Sequence, residues 1–84
     1  MGDPEAKVLL GDSVRQKKPK QAIAYYTEAA NSGYAPAMTR LGDCNLNGEG
    51  TSRSEIDALK WYRDAVSAGD AAAGTRLSAM GKAQ

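Results

Sequence analysis

Two pairs of ionisable residues recur along this chain at matching places, Asp12 with Asp43 and Arg40 with Arg76. Paired carboxylates can divide general acid and general base work, provided a pocket pushes their pKa values apart. Paired guanidinium groups instead grip carboxylates through charge-assisted hydrogen bonds, two at a time. The other residues that catalysis would need are missing or isolated. There is no histidine, which removes the commonest general base and most zinc ligand sets. Cys44 is the single cysteine, and with no histidine to take its proton it reads as a small packing residue. Gly48-Glu49-Gly50 has the look of a phosphate loop, but it follows a helical pattern rather than a strand, and Arg53 stands where a third glycine would be. It reads as a tight corner. Trp61-Tyr62 would make a platform for bases or sugars. Its counterpart Tyr25-Tyr26, displaced by 36, marks a repeated core pair instead. No catalytic, cofactor or metal set emerges, and the chain is expected not to be an enzyme.

Composition narrows the classes further. The 84 residues make one domain at most, and a core of that size seldom supplies more than ~3–5 kcal/mol. There is no Phe, and the apolar content leans on alanine, which suits closely packed helices better than a thick core. Eleven basic against ten acidic residues leave a net charge of +1, whereas a dedicated nucleic-acid binder carries a basic excess. The local exception is the run Arg15, Lys17, Lys18 and Lys20, read as a solvated turn. No apolar run approaches the ~18 residues of a membrane span. The start Met1-Gly2-Asp3-Pro4 carries no charged-then-apolar leader. With a single cysteine, that is compatible with a cytoplasmic protein and leaves the compartment unknown.

The elements that position these residues come from an internal repeat. Ala22, Tyr25, Tyr26, Ala29 and Gly33 return as Ala58, Trp61, Tyr62, Ala65 and Gly69, all displaced by 36, as do Ala37 and Leu41 onto Ala73 and Leu77. Leu10-Gly11-Asp12 returns as Leu41-Gly42-Asp43 displaced by 31, so a loop must absorb the five-residue difference. A period of this size is that of a helical repeat. Asp3 with Pro4 opens a first helix reaching about Arg15. Pro19 opens a second, with Ala22, Ile23, Tyr26, Ala29 and Ala30 on one face, closed by Gly33. Pro36 starts a third, carrying Ala37, Met38, Leu41 and Cys44 or Asn45. Ser54 caps a fourth, with Asp57 reaching back to it, Ala58, Leu59, Tyr62, Ala65 and Val66 inward, and Gly69 at the stop. Asp70 caps a fifth with Ala73 and Leu77 buried, ended by Gly81. The expected fold is all-α: five short antiparallel helices, in the order A, B, A, B, A, stacked as a short α-solenoid.

The combination Ala37, Leu41-Gly42, Gly48-Glu49-Gly50, Ala58-Leu59-Lys60-Trp61-Tyr62-Arg63, Ala65 and Gly69 resembles a Sel-1-like repeat, a relative of the tetratricopeptide repeat. The likeness is close over roughly residues 35–73. Residues 4–33 are nearer an ordinary tetratricopeptide unit. Asn45 stands where the family usually has an aromatic, Thr51 where it has Val, Ser54 in place of Asp and Asp57 in place of Lys. Gly74, costing ~1 kcal/mol against Ala, makes the fifth helix the expected weak point. The expected organisation is a single module over 1–84, with repeat one at 4–33, repeat two at 35–69, a partial third repeat at 70–81 and a tail at 82–84.

In the related tetratricopeptide fold the A helices line the concave face, where a partner segment lies. Carried onto this chain by the leucine alignment, that face would hold Val8, Asp12, Thr39, Arg40, Asp43, Thr75 and Arg76. Arg40 and Arg76 would sit on helices ~8–10 Å apart, able to grip acidic side chains or a C-terminal carboxylate, with the loop lysines mattering less. The resemblance thus implies a scaffold that binds a protein or peptide segment, acidic in character. A structural spacer or oligomerisation unit is the alternative, since two and a half repeats leave apolar faces open at both ends. Cysteine-rich secreted members of the family reported to act on β-lactam-like compounds carry a disulfide in each repeat, which one cysteine cannot supply.

Overall fold

A computed structural model describes residues 3–82, all of whose regular structure is helical: α1 (Pro4–Val14), α2 (Pro19–Asn31), α3 (Ala35–Asn47), α4 (Glu55–Ser67) and α5 (Ala71–Lys82). Local chemistry sets these bounds. Asp3 accepts the Glu5 N–H at 3.0 Å, and Pro4 occupies the first turn of α1, where its missing N–H costs nothing. Pro19 and Pro36 open α2 and α3 in the same way. Gly33 and Gly69 follow α2 and α4 at φ 86° and 106°, a left-handed conformation in which an L side chain is strained. Ser54 Oγ accepts the Asp57 N–H at 3.1 Å. The return half of the expected capping box does not form, because the Ser54 N–H is already given to the Asn45 carbonyl at 2.8 Å.

Each B helix is packed between two A helices: α2 on α1 and α3, α4 on α3 and α5. The stack measures 38 × 26 × 16 Å. A thickness of 16 Å is under two helix diameters, so every helix keeps a solvent face and the core is a thin seam. One part of that seam joins Val8, Ala22, Tyr26, Ala29, Ala30, Ala37, Leu41 and Cys44. The other joins Ala58, Tyr62, Ala65 and Ala73, flanked by Leu46, Leu77 and Met80. The alanines bring the backbones together, and two fully buried tyrosines supply the bulk.

Gly11 and Gly42 make room for those rings. A Cβ on Gly11 would stand 2.5 Å from Tyr26 Cε1, and one on Gly42 would stand 2.5 Å from Tyr62 Cε1. Each tyrosine ring therefore lies flat on the backbone of its A helix, in a socket only glycine can provide. The third repeat lacks that socket, because Ser78 and Ala79 stand where Gly42-Asp43 stand one period earlier.

Four expectations need correcting. Leu10, whose alignment with Leu41 implies a core leucine, is 46% exposed where Leu41 is buried, because in the described residues no helix precedes α1 to cover it. Val8 is buried rather than surface-facing, since its side is covered by the second hairpin. Val66 lies on the outer flank of α4 and is 45% exposed. α5 continues through Gly81 to Lys82. Residues 83–84 of the expected tail lie outside the described residues.

Candidate partner-binding face

The same three residue types meet twice. Asp12 on α1 accepts the Tyr26 hydroxyl of α2 at 2.5 Å, and Arg40 of α3 forks onto the same carboxylate, Nε at 3.0 Å and Nη2 at 3.2 Å. One repeat later Asp43 on α3 accepts the Tyr62 hydroxyl of α4 at 2.5 Å and Arg76 Nε of α5 at 2.6 Å. Each carboxylate thus ties three consecutive helices. The hydroxyl end of a buried ring needs a partner, and the carboxylate that serves it needs a counter-charge, so the three positions form one unit.

Burial pushes the Asp12 carboxyl up, but hydrogen bonds from Arg40 and Tyr26 outweigh it and hold the group below its ordinary value. The bond to Asp12 raises the Arg40 guanidinium against a smaller opposing effect of burial. Burial first, then the bonded carboxylate, keep Tyr26 and Tyr62 protonated far above the ordinary tyrosine range. The arginine side chains are 32% and 40% exposed. Screened pairs of that kind add ~0–1 kcal/mol each, so burial of the rings dominates. Cys44 is a buried free thiol pushed up to about 11 by burial, hence protonated at neutral pH and unsuited to nucleophilic attack.

Of the residues expected on the partner face, Arg40, Arg76, Asp12 and Asp43 come together as these two pairs. Thr75 is exposed on α5. Thr39 is not available to a partner. It is fully buried, and its hydroxyl donates to Asp70 Oδ2 at 2.5 Å, the residue whose other oxygen accepts the Ala72 N–H at the start of α5. Thr75 holds the same register one repeat later, where no described helix covers it. The paired carboxylates do not share a site: each belongs to its own arginine, and the arrangement offers no acid–base pair.

Sequence reasoning missed two features. The tyrosine hydroxyls were read only as parts of a core pair, although the recurring Gly-Asp dipeptides one helix away were the available signal. It also missed Arg15, whose Nη2 donates to Glu49 at 2.7 Å and ties the α1–α2 turn to the corner after α3. That bond holds the Glu49 carboxyl below its usual range. Glu49 and its neighbouring glycines therefore serve a corner, as the sequence implied.

Residues 6–34 and 35–70 each match the family model described as Sel1 repeat. The chain superposes on a Sel1 repeat protein from Oxalobacter formigenes with a TM-score of 0.85 at 31% identity, covering 89% of this chain and 33% of that one. It also superposes on a protective antigen present in uropathogenic Escherichia coli strains, displaying an SLR fold, with a TM-score of 0.85 at 25% identity, over 94% of this chain and 18% of that one. The chain therefore spans about a third and under a fifth of these two proteins. No curated protein matches it.

Proposed function

Since the chain belongs to the Sel1 repeat family, we propose that it is a non-catalytic interaction module whose A helices hold a segment of a partner protein on their concave side. Sel1 repeats are in general protein–protein interaction modules. The observation that carries the reading here is the pair Arg40 and Arg76, at one register of successive A helices, each oriented by its own aspartate yet partly open to solvent. A guanidinium already held in place loses less freedom when it meets a second acceptor. Asp12 and Asp43 act through those arginines, and Thr75 adds an exposed hydroxyl. The partner segment this face suits is an acidic one.

Titration calorimetry with a set of short peptides, matched in length and differing in acidic, neutral or basic character, tests this reading. Acidic peptides should bind with micromolar affinity that falls as salt is added, because exposed pairs are weak and screened. Equal binding of all three, or none, contradicts it. A second reading, an oligomerisation unit, draws on Leu9 and Leu10, 63% and 46% exposed on the outward side of α1.

A further inference from the structure

We propose that the open depression between the α1–α2 turn and α3 seats the acidic side chains of the partner, and that its basic turn contributes more to the attraction than Arg76 does. The proposal rests on reading the chain as an interaction module and locates the contact within it. The depression is about 640 Å³, lined by Asp12, Ser13, Arg15, Gln16, Lys17 and Arg40. That volume suits a few side chains, and the openness of a surface hollow suits a peptide rather than an enclosed small molecule.

Its charges are unequally committed. The Asp12 carboxylate, the one acidic group in the lining, is shared between Tyr26 and Arg40. Arg15 spends Nη2 on Glu49, and Arg40 spends Nε and Nη2 on Asp12. Arg15 Nε and Nη1 and Arg40 Nη1 make no hydrogen bond among the described residues. Both guanidinium groups are thus held in place with donors to spare. Lys17, with Lys18 and Lys20 beside it, is exposed and in no ion pair among the described residues. Arg76 is committed to the same degree as Arg40, Nε to Asp43 and Nη1 to the Ala72 carbonyl at 3.3 Å, but it lies outside the depression and has no lysine of the turn beside it.

The backbone acts in both directions. The last carbonyls of α1 add partial negative charge, although the Val14 carbonyl is occupied by the Lys18 N–H at 2.7 Å. The N-terminus of α2 begins two residues after Lys17 and has no side-chain cap from Lys18. Pro19 carries no N–H, however, and those of Gln21 and Ala22 go to the Lys18 carbonyl at 3.0 and 3.1 Å, so the positive end adds little. Full charges on Lys17, Lys18 and Lys20, in no ion pair among the described residues, outweigh both dipole ends. A peptide bearing two or three carboxylates would lie across the turn, reaching Lys17 at the rim and Arg15 and Arg40 within.

The test is fluorescence anisotropy with a labelled glutamate-rich decapeptide and its glutamine twin. The protein variants are Lys17→Glu with Lys18→Glu, and, on α4, Lys60→Glu with Arg63→Glu, exposed residues that change net charge equally. Circular dichroism should be unchanged in both, because none of the four is hydrogen-bonded through its side chain among the described residues. The turn variant should bind the glutamate peptide about tenfold more weakly, with a shallower salt dependence. The α4 variant should stay within about twofold of the parent, and the glutamine twin should bind neither. Equal weakening by both variants would show that overall charge is at work and overturn the proposal. So would tighter binding of a polyuridine oligomer than of the peptide. Normal binding by the turn variant overturns the location while leaving the interaction reading intact. No binding by the parent protein to any peptide removes both.

Discussion

At the scale of single residues, a glycine and a tyrosine form the unit on which each hairpin depends. Gly42→Ala would set a methyl group against the Tyr62 ring at 2.5 Å from Cε1, and overpacking of that kind costs ~1–3 kcal/mol. Tyr62→Ala should cost ~3–5 kcal/mol, enough to unfold a chain of this size in thermal denaturation, whereas a Tyr62→Ala protein of parental stability would refute the socket. The pH profile follows from the same groups. Asp12 and Glu49 have depressed values in the fold, so their stabilisation is present above their ordinary values of 3.8 and 4.5 and is lost as pH falls below them. Tyr26 and Tyr62 are raised, so their stabilisation is present below the ordinary 10.0 and is lost as pH rises above it. Chemical denaturation across pH should therefore give a plateau between these limits and a fall on both sides. The anchoring tyrosines were legible in the sequence because they repeat at a fixed displacement. Their bonds to Asp12 and Asp43 were signalled only by the recurring Gly11-Asp12 and Gly42-Asp43 dipeptides, since each bond joins different helices and a repeat does not give their relative rotation. Thr39 misled for a related reason: a polar residue on an A helix looks like surface until the Asp70 cap of the next repeat closes over it.

At the scale of the helices, proline, glycine and capping residues made nearly every boundary readable, because these act within a few residues of themselves. Asp57 failed as the second half of a capping box because the Ser54 N–H found a tertiary partner, Asn45, which lies on another helix. The fifth helix is where local and long-range effects separate. Gly74 lies in its interior, and a Cβ there would meet only Val66 Cγ2, at an ordinary 3.9 Å. Gly74→Ala should thus stabilise by ~1 kcal/mol, the opposite sign from Gly42→Ala, and paired thermal melts of the two variants check the contrast. Lacking the glycine–aspartate socket, α5 is held by Ala73, by the Thr39–Asp70 bond and by the Arg76–Asp43 pair. Amide hydrogen exchange should run faster in α5 than in α3 by an order of magnitude or more.

At the scale of the whole molecule, a solenoid presents one continuous face and two ends, and the ends follow from the register. Leu9 occupies the position of Arg40 and Arg76, and Ala79 that of Asp12 and Asp43, so both ends of the described stack replace the ion pair with apolar side chains. Sedimentation at rising concentration should reveal weak self-association that Leu9→Arg diminishes. A monomer at all concentrations would remove support for the oligomerisation reading. The continuous face carries the account, and nuclear magnetic resonance of the arginine Nε–H groups addresses it directly. On titration with a glutamate-rich peptide, the Arg15 and Arg40 signals should shift saturably, Arg76 less, and Arg63 on α4 not at all, with all shifts reversed by salt. Signals of Arg15, Arg40 and Arg76 that stay fixed while those on α4 move would contradict an A-helix partner face.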